Sequence, residues 1–233
     1  MIDYHTHILP GIDDGARNTA MALAMLEEEV NQGVTTVCLT PHFYANEASP
    51  SHFLAKREAA YEKLMASADF PFPALRLGAE VYYFDGIDHV DSLSRLCLQG
   101  TNLLLLEMPF EKWSDRQVNS ILHLAGERGF TVMLAHVDRY MDFNNPGIWK
   151  YLRDKGIILQ VNTSFLTSRG TRRKAVRMLR NKEIDVFASD CHNMTGRMPD
   201  IKEASEIVSK RLGDVAIRIA EQRGNEIMEL SGL

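Results

Sequence analysis

His5 and His7 stand one residue apart in Asp3-Tyr4-His5-Thr6-His7. If that segment is a strand, both imidazoles face one side and can share a metal ion. An ion with an open position turns water into a nucleophile at neutral pH. The pair alone is a weak signal, and its meaning depends on what stands at the ends of later strands. Those positions hold His42 in Thr40-Pro41-His42, Glu80 in Gly78-Ala79-Glu80, and Glu107 after Leu103-Leu104-Leu105-Leu106. They also hold His136 after Leu134-Ala135, and Asp190 with His192 in Ala188-Ser189-Asp190-Cys191-His192. Asp13 and Asp14 follow between Gly11 and Gly15. Five of the eight histidines fall in these slots, a concentration that singly buried core histidines do not explain. Mixed imidazole and carboxylate donors suit Mn, Fe or Zn rather than a thiolate-bound structural Zn. Counting one aspartate of the pair, nine candidate ligands exceed the coordination of one ion and point to two or three. Ions about 3.5–4 Å apart can share a hydroxide for attack at phosphorus. A strand-end Glu is also compatible with an ordinary ion pair. Yet Glu107 follows four leucines, and a buried carboxylate without a partner is costly. His52, His89 and His123 lie away from strand ends and read as ordinary residues.

The elements that must carry these residues alternate along the whole chain. A helical pattern over 18–32 ends at Gly33 before an apolar run at 34–40. A helix over 51–67, a strand over 75–83, and the strand 103–106 ending in Glu107 continue the rhythm. Helix 117–128 with strand 130–135, helix 148–155 with strand 157–161, and helix 172–181 with strand 184–188 repeat it. About seven β/α units in one domain spanning 1–233 predict an α/β fold, a distorted (β/α)7 barrel of the TIM-barrel kind. A doubly wound sheet competes, but no Gly-rich phosphate loop follows any strand.

Composition narrows the function classes. Hydrophobic content of 45% and charged content of 24% are those of a globular protein. A net charge of −5 argues against a nucleic-acid footprint. Three cysteines at wide spacing form no disulfide framework, and no apolar run is long enough to insert in a membrane. The start of the chain reads as a strand with ligand-type residues rather than a signal peptide, so a cytoplasmic location is expected.

The segments His5–Ala16, Thr40-Pro41-His42, Leu106–Phe110 and Ala188–Asn193, taken in order, resemble the CpsB/CapC/YwqE-type tyrosine-protein phosphatases of the polymerase and histidinol phosphatase (PHP) superfamily. The resemblance implies a PHP fold with a metal cluster, usually described with Mn. By motif, one ion would take His5, His7, Glu80 and Asp190, and a second would share Glu80 and add Glu107 and His136. A third would take Asp14, His42 and His192; sequence alone leaves Asp13 and Asp14 open. Arg139 and Arg197 match positions implicated in phosphate binding, and guanidinium forks suit that role. The implied reaction is hydrolysis of phosphotyrosine by a metal-bridging hydroxide, with Asp138 or a water as proton donor. The implied partner is a bacterial tyrosine kinase that controls capsule or exopolysaccharide synthesis.

Cys191 to Arg197 also spells C-x5-R, the signature of cysteine-dependent phosphatases. Asp190 beside the thiol would raise its pKa, and the intervening loop holds a single Gly, so the metal reading is preferred. A histidinol-phosphate phosphatase on the same fold and a non-catalytic metal-binding regulatory module are the alternatives. Asp13-Asp14, where the former usually offers His, favours phosphotyrosine. The arginine-rich stretch at 169–182 could meet an acidic tail, but reads more simply as a solvated helix face.

Overall fold

In the computed structural model, which describes residues 1–232, the chain opens on β1 (Ile2–Thr6) and α1 (Thr19–Asn31). There follow β2 (Thr36–Leu39), β3 (His42–Phe43), α2 (Pro50–Met65), β4 (Ala74–Leu77), β5 (Glu80–Tyr82), β6 (Leu103–Glu107) and α3 (Asp115–Gly126). Next come β7 (Thr131–Leu134), α4 (Gly147–Asp154), β8 (Ile158–Asn162), α5 (Thr163–Thr167) and α6 (Arg172–Arg180). The chain closes with β9 (Val186–Ala188), α7 (Ile201–Leu212) and α8 (Asp214–Leu230).

Local chemistry sets the helix starts. The Asn18 side chain accepts from the Met21 amide to cap α1, and Ser49 caps α2 ahead of Pro50. Ser114 and Gln117 form a reciprocal capping box on α3. After α1, Gly33 takes φ +76°, a left-handed turn that brings the chain back to the sheet.

All strand pairs are parallel, in the orders β1-β2-β4 and β3-β5-β6-β7-β8-β9. The Asp190 amide donates to the His5 carbonyl and the His7 amide to the Cys191 carbonyl, both at 2.9 Å, which draws the segment after β9 back to β1. Nine short strands trace seven positions, because two expected strands are each broken in two. Thr40-Pro41 separates β2 from β3; Pro41 offers no amide to a ladder. Gly78-Ala79 likewise splits the expected strand 75–83 into β4 and β5. His42 and Glu80 begin the two outer pieces and pair directly with each other in register. α5, α7 and α8 were not foreseen from the hydrophobic pattern of the chain.

The inside of the curled sheet changes character along its strands. Leu103, Leu105, Met133, Ile158 and Val186 form an apolar layer with Tyr4, closed off by Ile227 of α8. The Tyr4 hydroxyl donates to the Gly224 carbonyl of α8 at 2.6 Å. Two residues further along the same faces stand Glu107, Gln160 and Ala188, then Asn162 and Asp190. A larger apolar cluster lies between the sheet and the helices. The strands therefore end in ionisable groups over an apolar floor.

Candidate metal centre

β1 carries one residue more than the strand it pairs with. Asp3 lies opposite Val37 and Thr6 opposite Leu39, so a bulge falls between them. A bulge re-aims side chains. Here Asp3 bonds the Ser189 amide through Oδ1, while His5 and His7 converge with Nε2 atoms 3.1 Å apart. His136 (φ 32°) and Asp190 (φ 53°) adopt the left-handed backbone unusual for such residues. Strain of this kind costs about 1–3 kcal/mol and persists only where surroundings enforce it. The His136 amide is held by Gln160 Oε1 at 2.6 Å, and the Asp190 amide by His5.

Glu80 sits at the centre, fully buried. Its Oε2 lies 2.9 Å from His42 Nδ1, 3.1 Å from His5 Nε2 and 3.3 Å from His7 Nε2, and its Oε1 lies 2.8 Å from His136 Nε2. Glu107 approaches His42 at 3.6 Å and His136 at 3.7 Å. Asp190 lies 3.5 Å from both His5 and His7 and 3.6 Å from His192. Asp14 reaches His42 at 3.5 Å and His192 at 3.4 Å from a largely exposed position. The ligating atoms fall into three groups: His5-His7-Asp190, His42-Glu80-Glu107, and His7-Asp14-His42-His192. His42 thus belongs to two of them, where the sequence motif gave it to one.

Asp13 and Asp14 separate in role. Asp13 Oδ2 accepts from His7 Nδ1 at 2.7 Å and from the His42 amide, and its Oδ1 accepts from the Gly15 amide. Gly15 packs so closely that a Cβ there would stand 2.1 Å from the His7 carbonyl oxygen. Polar residues on β8 form a further layer. Gln160 Oε1 faces His5 Nδ1 at 3.3 Å, Gln160 donates to Asn162 at 3.1 Å, and Asn162 donates to Asp190 Oδ2 at 2.8 Å. Neither Gln160 nor Asn162 was among the residues singled out from the sequence, though two amides alternating in Ile158–Asn162 are the signal that could have found them.

Electrostatics follow from this crowding. Burial opposes ionisation of Glu80 and Asp190, but the charge of His5 and hydrogen bonds from neighbouring imidazoles hold both well below the usual carboxylate range. Burial and the charge of Glu80 push Glu107 up. Burial would raise Asp13, yet its bond to His7 brings it to about 2. Burial and the charge of His7 lower His192 to about 4. Despite the close approaches, Glu80 Oε2, Glu107 Oε2, His42 Nδ1 and His192 Nε2 are buried without a well-formed hydrogen bond. Buried polar atoms normally have partners. Imidazole and carboxylate atoms that converge without bonding one another fit divalent ions of the Mn, Fe or Zn type.

Two arginines flank the cluster. Arg197 Nη2 pairs with Asp190 Oδ2 at 2.6 Å, and its loop is organised by Asn193 Oδ1, which accepts from the Thr195, Gly196 and Arg197 amides. Arg139 is exposed and lies 4.5 Å over the Phe110 ring, itself 6.1 Å from His136. Tyr44 stacks on His42 at 5.2 Å and meets Tyr82 at 5.6 Å. Asp138 Oδ1 accepts from the Asn162 amide at 2.9 Å, and burial pushes its carboxyl up.

The rival thiol points elsewhere. Cys191 is fully buried with Sγ 3.8 Å from Glu29 Oε1, and burial with the charges of Glu29 and Asp3 pushes it well above its ordinary value. His52 is exposed on α2. His89 and His123 meet Asp88 in a separate outer cluster.

Comparison with known proteins extends over nearly the whole chain. Residues 1–229 match the family described as "Capsular polysaccharide synthesis, CpsB/CapC". The tyrosine-protein phosphatase YwqE of Bacillus subtilis is 32% identical over 225 residues, covering 91% of this chain and 85% of that protein. The tyrosine-protein phosphatase CpsB of Streptococcus pneumoniae is 29% identical over 229 residues, covering 91% of each. A solved structure from work on these two proteins, described as unique metal-dependent tyrosine phosphatases, superposes with a TM-score of 0.82 at 24% identity. It covers 100% of this chain and 96% of its own, and shows that the fold is shared. A D-hydantoinase, at 12% identity and a TM-score of 0.57, covers 94% of this chain and 67% of its own. It extends that likeness to TIM-barrel-type folds.

Proposed function

Since the chain belongs to the CpsB/CapC family of capsular polysaccharide synthesis proteins, we propose that it is a metal-dependent phosphatase that hydrolyses phosphotyrosine on a protein. The observation that carries this reading is one buried carboxylate, Glu80, ringed by four imidazoles. His5, His7, Asp14, His42, Glu80, Glu107, His136, Asp190 and His192 would hold two or three ions, with Mn the first expectation and Fe or Zn the others. When bound, such ions supply Lewis acidity, neutralising phosphate charge and acidifying water.

The chain's own groups do the rest. Arg197 and Arg139 grip phosphate oxygens as bidentate forks and offset charge that builds in the transition state. For Arg197 this means exchanging part of its pairing with Asp190 for the phosphate. Tyr44, Tyr82 and Phe110 give the mouth an aromatic border suited to an aryl phosphate. Asp138, whose carboxyl burial pushes above its ordinary value, is the candidate proton donor to the leaving tyrosinate, whose ordinary pKa near 10 makes it a fair leaving group. Among the described residues no helix is long and apolar enough to cross a membrane. The reading places the whole chain as one catalytic domain in the cytoplasm, acting on a tyrosine kinase of capsule or exopolysaccharide synthesis.

The test is hydrolysis of a phosphotyrosine peptide, a phosphoserine peptide and histidinol phosphate, after chelation and after adding Mn. Metal-dependent preference for phosphotyrosine is expected. Preference for histidinol phosphate would move the assignment to small phosphomonoesters, and metal-stimulated activity on none of the three would sink it.

A further inference from the structure

We propose that the groove between α6 and α7 is a docking track for a polyanionic segment of the protein substrate, an inference that rests on the phosphatase reading above. A cavity of about 550 Å³ there is lined by Arg169, Arg172, Arg173, Arg177, Arg180 and Arg211, with Val176 as its one other lining residue. Arg172 is committed to the fold, since it donates to the Leu166 and Thr167 carbonyls at the end of α5. The other five are exposed. Among the described residues none of the five is paired with a carboxylate, whereas nearby Arg153 and Arg223 both pair with buried Asp185 at 3.1 Å.

Five like charges in one groove repel each other, at a cost to the folded chain. A solvated helix face does not require arginine at each of these positions, nor the exclusion of acidic side chains. Guanidinium forks recognise carboxylate and phosphate oxygens together, so the fitting occupant is a peptide rich in acidic or phosphorylated side chains.

Placement links the groove to the centre. β8 ends at Asn162, which bonds Asp190, and the chain passes straight through α5 to Arg169 and the start of α6. Arg173, Arg177 and Arg180 recur at helical spacing down α6, away from the strand ends. α6 is about 13 Å long, the reach of roughly four extended residues. Past Arg180 and Arg211 the groove continues over Val208, Leu212, Val215 and Ile219, which offers apolar contact to the same segment. A tethered segment raises the effective concentration of its phosphotyrosines at the mouth.

The full chain and its R173A/R177A/R180A variant, both loaded with Mn, are assayed on three substrates. These are p-nitrophenyl phosphate, a neutral peptide with one phosphotyrosine, and a glutamate-rich peptide with three. The variant should raise KM for the third substrate at least tenfold, leave kcat and the first two substrates within twofold, and flatten the salt dependence. Fluorescence anisotropy of the labelled third peptide on chelated protein should show the same loss of binding without relying on catalysis. Equal changes on all three substrates, or none on any, would overturn the track. So would binding of phosphatidylglycerol vesicles that depends on these arginines while the peptide does not bind. If anisotropy shows groove-dependent binding but no substrate is hydrolysed, the track stands and the phosphatase reading fails.

Discussion

Asp13 Oδ2 lies 2.7 Å from His7 Nδ1, on the side of the ring opposite the Nε2 that faces His5 and Glu80. A carboxylate behind an imidazole fixes the ring's tautomer and orientation and strengthens it as a ligand. Asp13→Asn should therefore lower metal affinity by about 10–100-fold while the fold persists. Titration of chelated protein with Mn, read by competition with an indicator, measures it; unchanged affinity would make Asp13 a mere loop residue.

Chelation and substitution of Cys191 should separate the two possible mechanisms. Cys191 faces Glu29 in the core, so Cys191→Ala should retain activity within a few-fold, while chelation removes it and added Mn restores it. The opposite pattern would restore the thiol mechanism.

Arg197 is 41% exposed and spans the mouth to Asp190. Arg197→Lys keeps the charge but loses the planar fork, so kcat/KM on a phosphotyrosine peptide should fall by about 10-fold or more. Phosphate inhibition should weaken in parallel. A variant that binds phosphate as tightly as the parent would remove Arg197 from substrate contact.

Gly15 has no room for a side chain, because an added Cβ would clash with the carbonyl, carbonyl carbon and Cβ of His7. Gly15→Ala must displace the Asp13–Asp14 loop, and should lower metal affinity and Tm together. Parent-like values for both would show that the loop yields at little cost.

Stability should depend on Asp200 in a defined pH window. Burial raises its carboxyl from 3.8 to about 6, with the charges of Asp3 and Glu203 adding and the Thr163 hydrogen bond opposing. The folded state thus holds a proton that the unfolded chain releases, so stability falls as pH rises from about 4 to about 6. Asp200→Asn keeps an oxygen for Thr163 and should raise Tm at pH 7.5, with the gain vanishing toward pH 4. A gain equal at both pH values would assign the effect to something other than this proton.

Most of the donors are legible in the sequence because they stand where a short apolar run stops, and strand ends are where such barrels do chemistry. The helix–glycine–strand rhythm is legible for the same periodic reason. The breaks at Thr40-Pro41 and Gly78-Ala79 are not, since they depend on how neighbouring strands pair, and register is a long-range property. Gln160 and Asn162 escape notice because amides have no metal-ligand signature and act only through His136, His5 and Asp190. α7 and α8 carry many charges, so their buried faces show only once the barrel base and wall are present. The arginines of α6 illustrate the converse. Their run is visible in the chain, but the lack of partnering carboxylates is a fact of three dimensions.

The extra residue in β1 has a further meaning. The first motif is a matter of counting as much as of residue type: its histidines face inward because one more residue is threaded between Asp3 and Thr6 than the neighbouring strand requires. Removing Tyr4 alone would leave every donor in the sequence and turn a strand's worth of side chains over. A descendant of this chain could thus fall silent without losing one ligand, and a comparison that scored only the letters would still find its centre complete.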